Sequence, residues 1–355
     1  MSTDHLSRHS NMPLTLADLG WRQFYNQQFE TGELETTIPV RVVAVHRTGL
    51  HVLGADCDKI IPQYSPGKDN EKATIGDWLL LDLAQTRALR RLDRMSLFKR
   101  KMPGSDRSVQ LIAANVDTLM IVSCCNDDFN IARIERYLAL AHEADVTPIV
   151  VLTKADQTED SETYRQKAEG LLPHLHVEVL NATDTDDVSV LLPWCKPGQT
   201  IAFVGSSGVG KSTLTNTLIG RADIATQEVR EDDAKGRHTT THRELHHLAH
   251  GGWVLDTPGM RELQLTDMEQ GLASVFNDIE TLSTRCRFRN CQHLTEPACA
   301  IQAAISSGEL DEDRLGRWRK LVAENERNSL SLAEARSKDK AFGKTIKNAQ
   351  AQKKR

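Results

Sequence analysis

Residues 201–219 read IAFVGSSGVGKSTLTNTLI, and this stretch decides the fold. Its centre, Gly205-Ser206-Ser207-Gly208-Val209-Gly210-Lys211-Ser212, matches G-x-x-x-x-G-K-[ST] at every fixed position. The apolar run 201–204 before it reads as a strand, and 212–219 after it as a helix. That context marks a phosphate loop. Glycine lets backbone N–H groups curl around the α- and β-phosphates. Lys211 brings a point charge to the β- and γ-phosphates, and the Ser212 hydroxyl can ligate Mg²⁺ beside a helix dipole. Ser206, Ser207, Val209 and Thr213 complete the expected contact set. Glycine stands at ordinary usage, 21 residues in 355. A chance match in such a chain has odds of roughly 1%, so nucleotide binding is the reading.

Working outward, the α/β texture begins near residue 110. Continuous apolar runs at 118–123, 148–152, 176–180 and 253–255 have the pattern of buried parallel strands. Between the first two, 130–144 has helical spacing, with Ile131, Ile134, Leu138 and Ala141 on one face. Alternating strands and helices give a doubly wound sheet. Three short motifs end its strands. Asp256-Thr257-Pro258-Gly259 is a D-x-x-G, which sets Asp256 near Mg²⁺ and the Gly259 N–H at the γ-phosphate. Thr153-Lys154-Ala155-Asp156 resembles N-K-x-D, with Asp156 as an acceptor-only carboxylate for the N1–H and N2 donors of guanine. Adenine lacks that donor pair, so this contact selects GTP. Asn181-Ala182-Thr183 stands where a GTPase has S-A-K. The base-reading motifs precede the phosphate loop and D-x-x-G comes last, which is a circular permutation. The switch region and D-x-x-G therefore run straight into the C-terminal region, so nucleotide state can move it directly.

Upstream, 38–102 is β in texture, with short Val- and Leu-rich runs at 40–45, 50–53 and 78–83 between turn residues. A small all-β barrel fits, and the oligonucleotide-binding barrel is the commonest such module. The first 36 residues start polar and then turn weakly helical, with Leu16, Leu19, Trp21, Phe24 and Phe29 as apolar anchors. Downstream of 270 the chain is helical and polar around Cys286-x4-Cys291-x-His293-x5-Cys299. Three thiolates and one imidazole complete a tetrahedral zinc shell with no open position, a structural site. Cys57, Cys124, Cys125 and Cys195 read as core or surface residues.

Composition sets the frame. At 39% hydrophobic and 26% charged, the 355 residues fit a soluble, multidomain globular chain. No apolar run approaches the roughly 18 residues of a membrane helix, and the polar start MSTDHLSRHSNMP is no secretory signal. The cytoplasm is the expected compartment, and a monomer with no membrane contact the expected state. Residues 313–355 hold 13 Lys+Arg and 5 Asp+Glu. That net of +8, set against −5 overall, leaves −13 on the rest. The stretch 87–101 carries seven basic residues against Asp93. An acidic body with local basic segments suggests an anionic partner touched at particular places.

The permuted order, GSSGVGKS, the segment GRHTTT at 236–241, DTPG and the C-x4-C-x-H-x5-C cluster together resemble the RsgA (YjeQ) family of circularly permuted GTPases. The segment IAANVD at 112–117 resembles that family's entry into its GTPase domain. The likeness spans about 38–325. It implies four parts: an extension at 1–37, an oligonucleotide-binding-type β-barrel at 38–104, a circularly permuted α/β phosphate-loop GTPase at 105–270, and an α-helical zinc-binding domain with basic tail at 271–355. It also implies GTP hydrolysis stimulated by the small ribosomal subunit, with rRNA contact, in late assembly or maturation. Thr153 departs from the Asn of GTPases. Met260 follows D-x-x-G where GTPases place a water-orienting Gln, so another group must act. His238 in GRHTTT is the candidate, beside Thr240 as a ligand of Mg²⁺ and sensor of the γ-phosphate. A second class stays open: a GTP-dependent regulator of a protein or metal partner with no rRNA contact.

Overall fold

Seven consecutive positions of the run TLMIVSC are buried, as expected of a strand covered on both faces. That strand lies at the heart of the larger of two compact units, residues 1–99 with 111–263; the other comprises 100–110 and 264–355. The structure is a computed structural model describing residues 14–67, 71–101, 109–220, 243–256 and 267–329.

In chain order the strands are β1 (Thr37–Val45), β2 (Leu50–Gly54), β3 (Cys57–Ile61), β4 (Trp78–Asp82), β5 (Ala88–Arg91), β6 (Leu97–Lys101), β7 (Val109–Ala114), β8 (Thr118–Cys124), β9 (Thr147–Thr153), β10 (His176–Val179), β11 (Thr200–Val204), β12 (Arg243–His247) and β13 (Trp253–Asp256). One sheet runs in the order β10-β9-β8-β11-β13-β12-β1-β2-β3, with β4 and β5 branching from β1; β6 and β7 form a separate ribbon. Neighbours from β10 to β13 are parallel. Their C-terminal ends therefore share one edge, where open α/β sheets bind ligands. The helix Ile131–Glu143 covers this sheet, buries Ile134, Leu138 and Ala141, and is capped by the Asn130 side chain accepting from the Arg133 N–H at 2.9 Å.

The β-rich N-terminal region is antiparallel. β1 divides its length, pairing with β4 through 37–41 and with β2 through 41–45, with an irregularity between Val42 and Ala44. Val40, Val42, Leu50, Val52, Leu79 and Leu81 form its core. Beyond β4, the same edge of β1 meets β12 at Ala44↔Glu244 and Val45↔Arg243.

Arg41 of β1 is 2% exposed and joins three distant segments. It donates to the Leu19 carbonyl (2.7 Å), the Asn115 carbonyl (3.2 Å) and the Thr200 hydroxyl (2.7 Å). The segment before β1 is anchored by Leu19, Trp21 and Tyr25, with Trp21 edge-on to Trp78 at 4.7 Å. Phe24, expected as an anchor, is 37% exposed, and Tyr25 is buried in its stead. Trp21 also meets the Tyr25 and Phe29 rings, with centroids within 6 Å.

The second unit is helical: Glu269–Val275, Asn277–Ser283, Ala300–Ser307 and Glu312–Ser329. Arg314 clasps Asp278 through two hydrogen bonds (2.7 and 3.0 Å) and lies over the Phe276 ring.

Candidate nucleotide site and metal centre

β11 is fully buried and ends at Val204, where the chain turns back across β8. The turn demands glycine at 205. Its φ is +143°, and a Cβ there would stand 2.2 Å from the Val122 carbonyl oxygen. Gly210, at φ +94°, caps the helix Lys211–Ile219 and releases its first amides toward the loop. Val209 points into the sheet core and is 1% exposed, while Ser207 and Gly208 face solvent. Lys211 folds across the loop, its ammonium donating to the carbonyls of Gly205 (2.9 Å) and Ser206. Ser212 and Thr213 sit half-buried in the first helical turn.

Three of the motifs meet at Gly210. A Cβ built there would lie 3.6 Å from both Thr153 and Ala182. Thr153 is completely buried, and its hydroxyl donates to the Val209 carbonyl at 2.7 Å, with the Ser123 carbonyl at 3.1 Å. The departure from Asn thus keeps a side chain that ties the end of β9 to the phosphate loop. Lys154 follows at φ +59°, turning the chain into the short helical turn Ala155–Gln157 that leaves Asp156 exposed. Asn181 accepts from the Thr183 N–H (3.0 Å) and hydroxyl (2.8 Å). The Ala182 carbonyl accepts from Thr217 on the phosphate-loop helix (3.0 Å). The arrangement puts the Asp156 carboxylate, two anchored loops and the Lys211 ammonium at the same edge of the sheet.

Asp256 ends β13, one residue past the Ala202–Leu255 pair, so its backbone reaches the edge where the phosphate loop begins. His238, Thr240 and Gly259 lie outside the described residues.

Two neighbours of the loop carried no motif in the sequence. Ser206 donates to Asp128 (2.7 Å), and Arg133 bonds Asp128 (3.0 Å) and the Ser206 hydroxyl. The Ser206 hydroxyl, aided by the Arg133 guanidinium, holds the Asp128 carboxyl below its usual range. Nothing in their spacing announces this trio. Asp128 follows β8 and Arg133 opens the next helix, and only the fold carries them to residue 206.

In the second unit, the ligand atoms of Cys286, Cys291, His293 and Cys299 all lie within 4.8 Å of one another. Cys286 Sγ stands 3.6 Å from His293 Nδ1 and 3.9 Å from Cys299 Sγ, and Cys299 Sγ is 3.6 Å from that nitrogen. A tetrahedron of ~2.3 Å metal–sulfur bonds has edges of about 3.8 Å, so the donor set fits such an ion. Burial raises the Cys286 pKa, but the N–H groups of Ala300 and Ile301 and the neighbouring thiols outweigh it and bring the net value below the ordinary one. His293 sits at φ +60°, and its carbonyl accepts from Gln302 (2.6 Å) and Arg319. These bonds anchor the backbone that carries the ring, and Nδ1 faces the sulfurs of Cys286 and Cys299.

The sequence model of the RsgA GTPase family matches residues 91–266. The ABC transporter model matches 193–342, a segment that includes the phosphate loop. Among relatives, "Small ribosomal subunit biogenesis GTPase RsgA 2" of Vibrio parahaemolyticus is 47% identical over 340 residues, covering 96% of this chain and 94% of its own length. "Small ribosomal subunit biogenesis GTPase RsgA" of Mesorhizobium japonicum is 50% identical over 321 residues, covering 89% and 91%. Among solved structures, YjeQ from Thermotoga maritima superposes with a TM-score of 0.59 at 22% identity, over 81% of this chain and 98% of that one. YloQ, described as a circularly permuted GTPase, gives 0.57 at 26% identity, over 83% and 97%.

Proposed function

Because the chain belongs to the RsgA family of GTPases, we propose that it hydrolyses GTP to GDP and phosphate on the small ribosomal subunit, in the late assembly or maturation of that particle. Relatives that match nearly end to end are named small ribosomal subunit biogenesis GTPases, which supports this reading. The observation that carries the nucleotide half is the meeting of Thr153, Ala182 and Gly210, with Asp156 exposed at the same edge. Residues 205–213 hold the phosphates, and Lys211 supplies charge at the β- and γ-positions. Asp156 accepts from guanine, while Thr153, Lys154, Ala155, Asn181 and Ala182 shape the base pocket. Mg²⁺ is held by Ser212 and Asp256, with Thr240 and the Gly259 N–H sensing the γ-phosphate. His238 orients the attacking water, a role Met260 cannot fill.

Cys286, Cys291, His293 and Cys299 hold one structural Zn²⁺ per chain, supported by the closed set of three sulfurs and one nitrogen. The functional parts are an extension (1–37), an oligonucleotide-binding-type barrel (38–104), the permuted GTPase (105–270) and the zinc domain with its basic tail (271–355). Barrel, zinc domain and tail grip rRNA, making attachment steeply salt-dependent. The proposed state is a monomer. Among the described residues no helix is long and apolar enough to cross a membrane, and the proposed workplace is the cytoplasm.

The test is GTP hydrolysis with and without purified small subunits, for the wild type, Lys211→Ala and His238→Ala. Stimulated turnover in the wild type, no nucleotide binding by Lys211→Ala, and binding without stimulation by His238→Ala are expected. A wild type indifferent to small subunits refutes the proposal. Wild-type stimulation of His238→Ala removes the histidine from it.

A further inference from the structure

The zinc-cluster loop spends its first residues outward. Cys286 and Cys291 bring their sulfurs into one ligand set from five positions apart, leaving little contour to tuck side chains inside. Arg287, Phe288, Arg289 and Asn290 are all exposed, and so is Arg285 just before them. Phe288 stands 42% exposed, and Leu294 on the other side of the ligand pair 59%. A single exposed apolar residue needs no explanation. Here, however, the ring is not bare: the Arg287 guanidinium lies over it, 5.6 Å from its centroid.

The charge around this ring is one-sided. Among the described residues, the guanidiniums of Arg285, Arg287 and Arg289 meet no carboxylate. The acid within the loop, Glu296, turns inward and accepts from the N–H groups of Gln292 (2.8 Å), Leu294 (2.8 Å) and Thr295 (3.1 Å). Its oxygens are therefore taken up by the loop's own backbone. What faces solvent is a π-surface with one guanidinium over it and two more exposed arginines within three residues of it along the chain.

We infer that Phe288, with Arg287 beside it and Arg285 and Arg289 as phosphate contacts, is a stacking platform for one unpaired nucleotide of RNA. A flat ring accepts a base face, while guanidiniums stack on the base or pair with the flanking phosphates. A base inside a duplex keeps its faces covered and offers no such partner. An apolar protein surface would not explain three exposed arginines, none meeting a carboxylate among the described residues, within five residues of chain around Phe288. This inference rests on the proposed action at the small subunit, and it names the place and manner of one contact there.

The test uses the full-length, zinc-loaded protein and the variants Phe288→Ala, Phe288→Tyr and Phe288→Trp. In co-sedimentation with purified small subunits, Phe288→Ala is expected to weaken binding about 5- to 150-fold, the worth of one stacked base. The Tyr and Trp variants should restore it. Zinc content and intrinsic GTP hydrolysis should match the wild type in all three. In a second arm, Phe288→Trp is titrated with a short single-stranded RNA and with the same sequence as a duplex. Quenching beyond the wild-type signal by the single strand alone is expected. In a third arm, a photo-reactive phenylalanine at 288 should cross-link to rRNA.

Wild-type binding by Phe288→Ala overturns the inference, as does cross-linking to a ribosomal protein or absence of quenching by single-stranded RNA. A wild type that ignores small subunits, while Phe288→Trp is still quenched by single-stranded RNA, sinks the proposed function and leaves the platform standing. If Phe288→Ala loses zinc or folds poorly, the Tyr and Trp variants and the quenching arm decide.

Discussion

Thr153→Val removes one hydroxyl from a site with no exposure and keeps the branched shape. The Val209 carbonyl then loses a donor at 2.7 Å, and Val209 itself is 1% exposed, so water does not replace it. Orphaning a buried acceptor costs about 1–3 kcal/mol. In the free protein the phosphate loop escapes part of that cost by drawing away from β9, and a bound nucleotide must pull it back. The effect therefore reaches affinity. We expect Kd to rise about 5- to 30-fold, or about 1–2 kcal/mol, for GTP and GDP alike, because the brace acts on the loop that both nucleotides share. Thr153→Ser keeps the hydroxyl and should bind close to wild type. The assay is titration with a fluorescent GDP analogue and competition by GTP, with thermal unfolding as a control for folding. A folded Thr153→Val that binds GDP with the wild-type Kd refutes the idea that this hydroxyl braces the loop.

Asp156→Asn trades a charged acceptor for an amide and should weaken GTP roughly 10- to 100-fold while improving xanthosine triphosphate. Equal competition by ATP and GTP in the wild type would show that Asp156 does not read the base. Chelation should release one zinc per chain and unfold the 267–329 region by circular dichroism, with GDP affinity retained because the phosphate loop belongs to the other compact unit. Elemental analysis finding no zinc in protein purified without chelators would contradict this. Burial lowers the pKa of His142 below 6.5, and its Nε2 is buried without a partner among the described residues. Below pH 6.5 the unfolded chain takes a proton that the folded one resists, so stability is complete above that pH and declines as pH falls toward the folded pKa. Denaturant midpoints between pH 7.5 and 5 should show the decline, and His142→Gln should shrink it. Some slope will remain because burial also lowers the His247 pKa.

The sheet was legible wherever burial on two faces forced a continuous apolar run. The stretches 118–123, 148–152, 201–204 and 253–255 all form strands within one or two residues of expectation. β12 escaped because its sequence, RELHH, is mostly polar. Its strand character comes from pairing with β13 and β1, a property of position more than composition. The phosphate-loop motif and the Cys286, Cys291, His293 and Cys299 cluster were readable because their chemistry sets residue types at fixed spacings. Thr153 was visible only as a departure; its bond to Val209 spans 56 residues of sequence. The Asp128–Arg133–Ser206 trio was invisible for the same reason, since no local pattern links residue 206 to residues more than seventy positions upstream.

β12 leans on β13 along its length, and on its other flank meets β1 at only two residue pairs. Those pairs make the β-rich N-terminal region a guard strip for the GTPase sheet. A fragment beginning at 105 would carry β12 with its outer N–H and C=O groups open, a template for pairing with a second copy. Such a fragment should self-associate at concentrations where the whole chain stays dispersed. Adding back residues 14–104 in trans should dissolve the aggregates if β1 finds its register. The two regions are thus not freely exchangeable cassettes, because any β-rich region joined to this sheet must bring a β1 that can finish it.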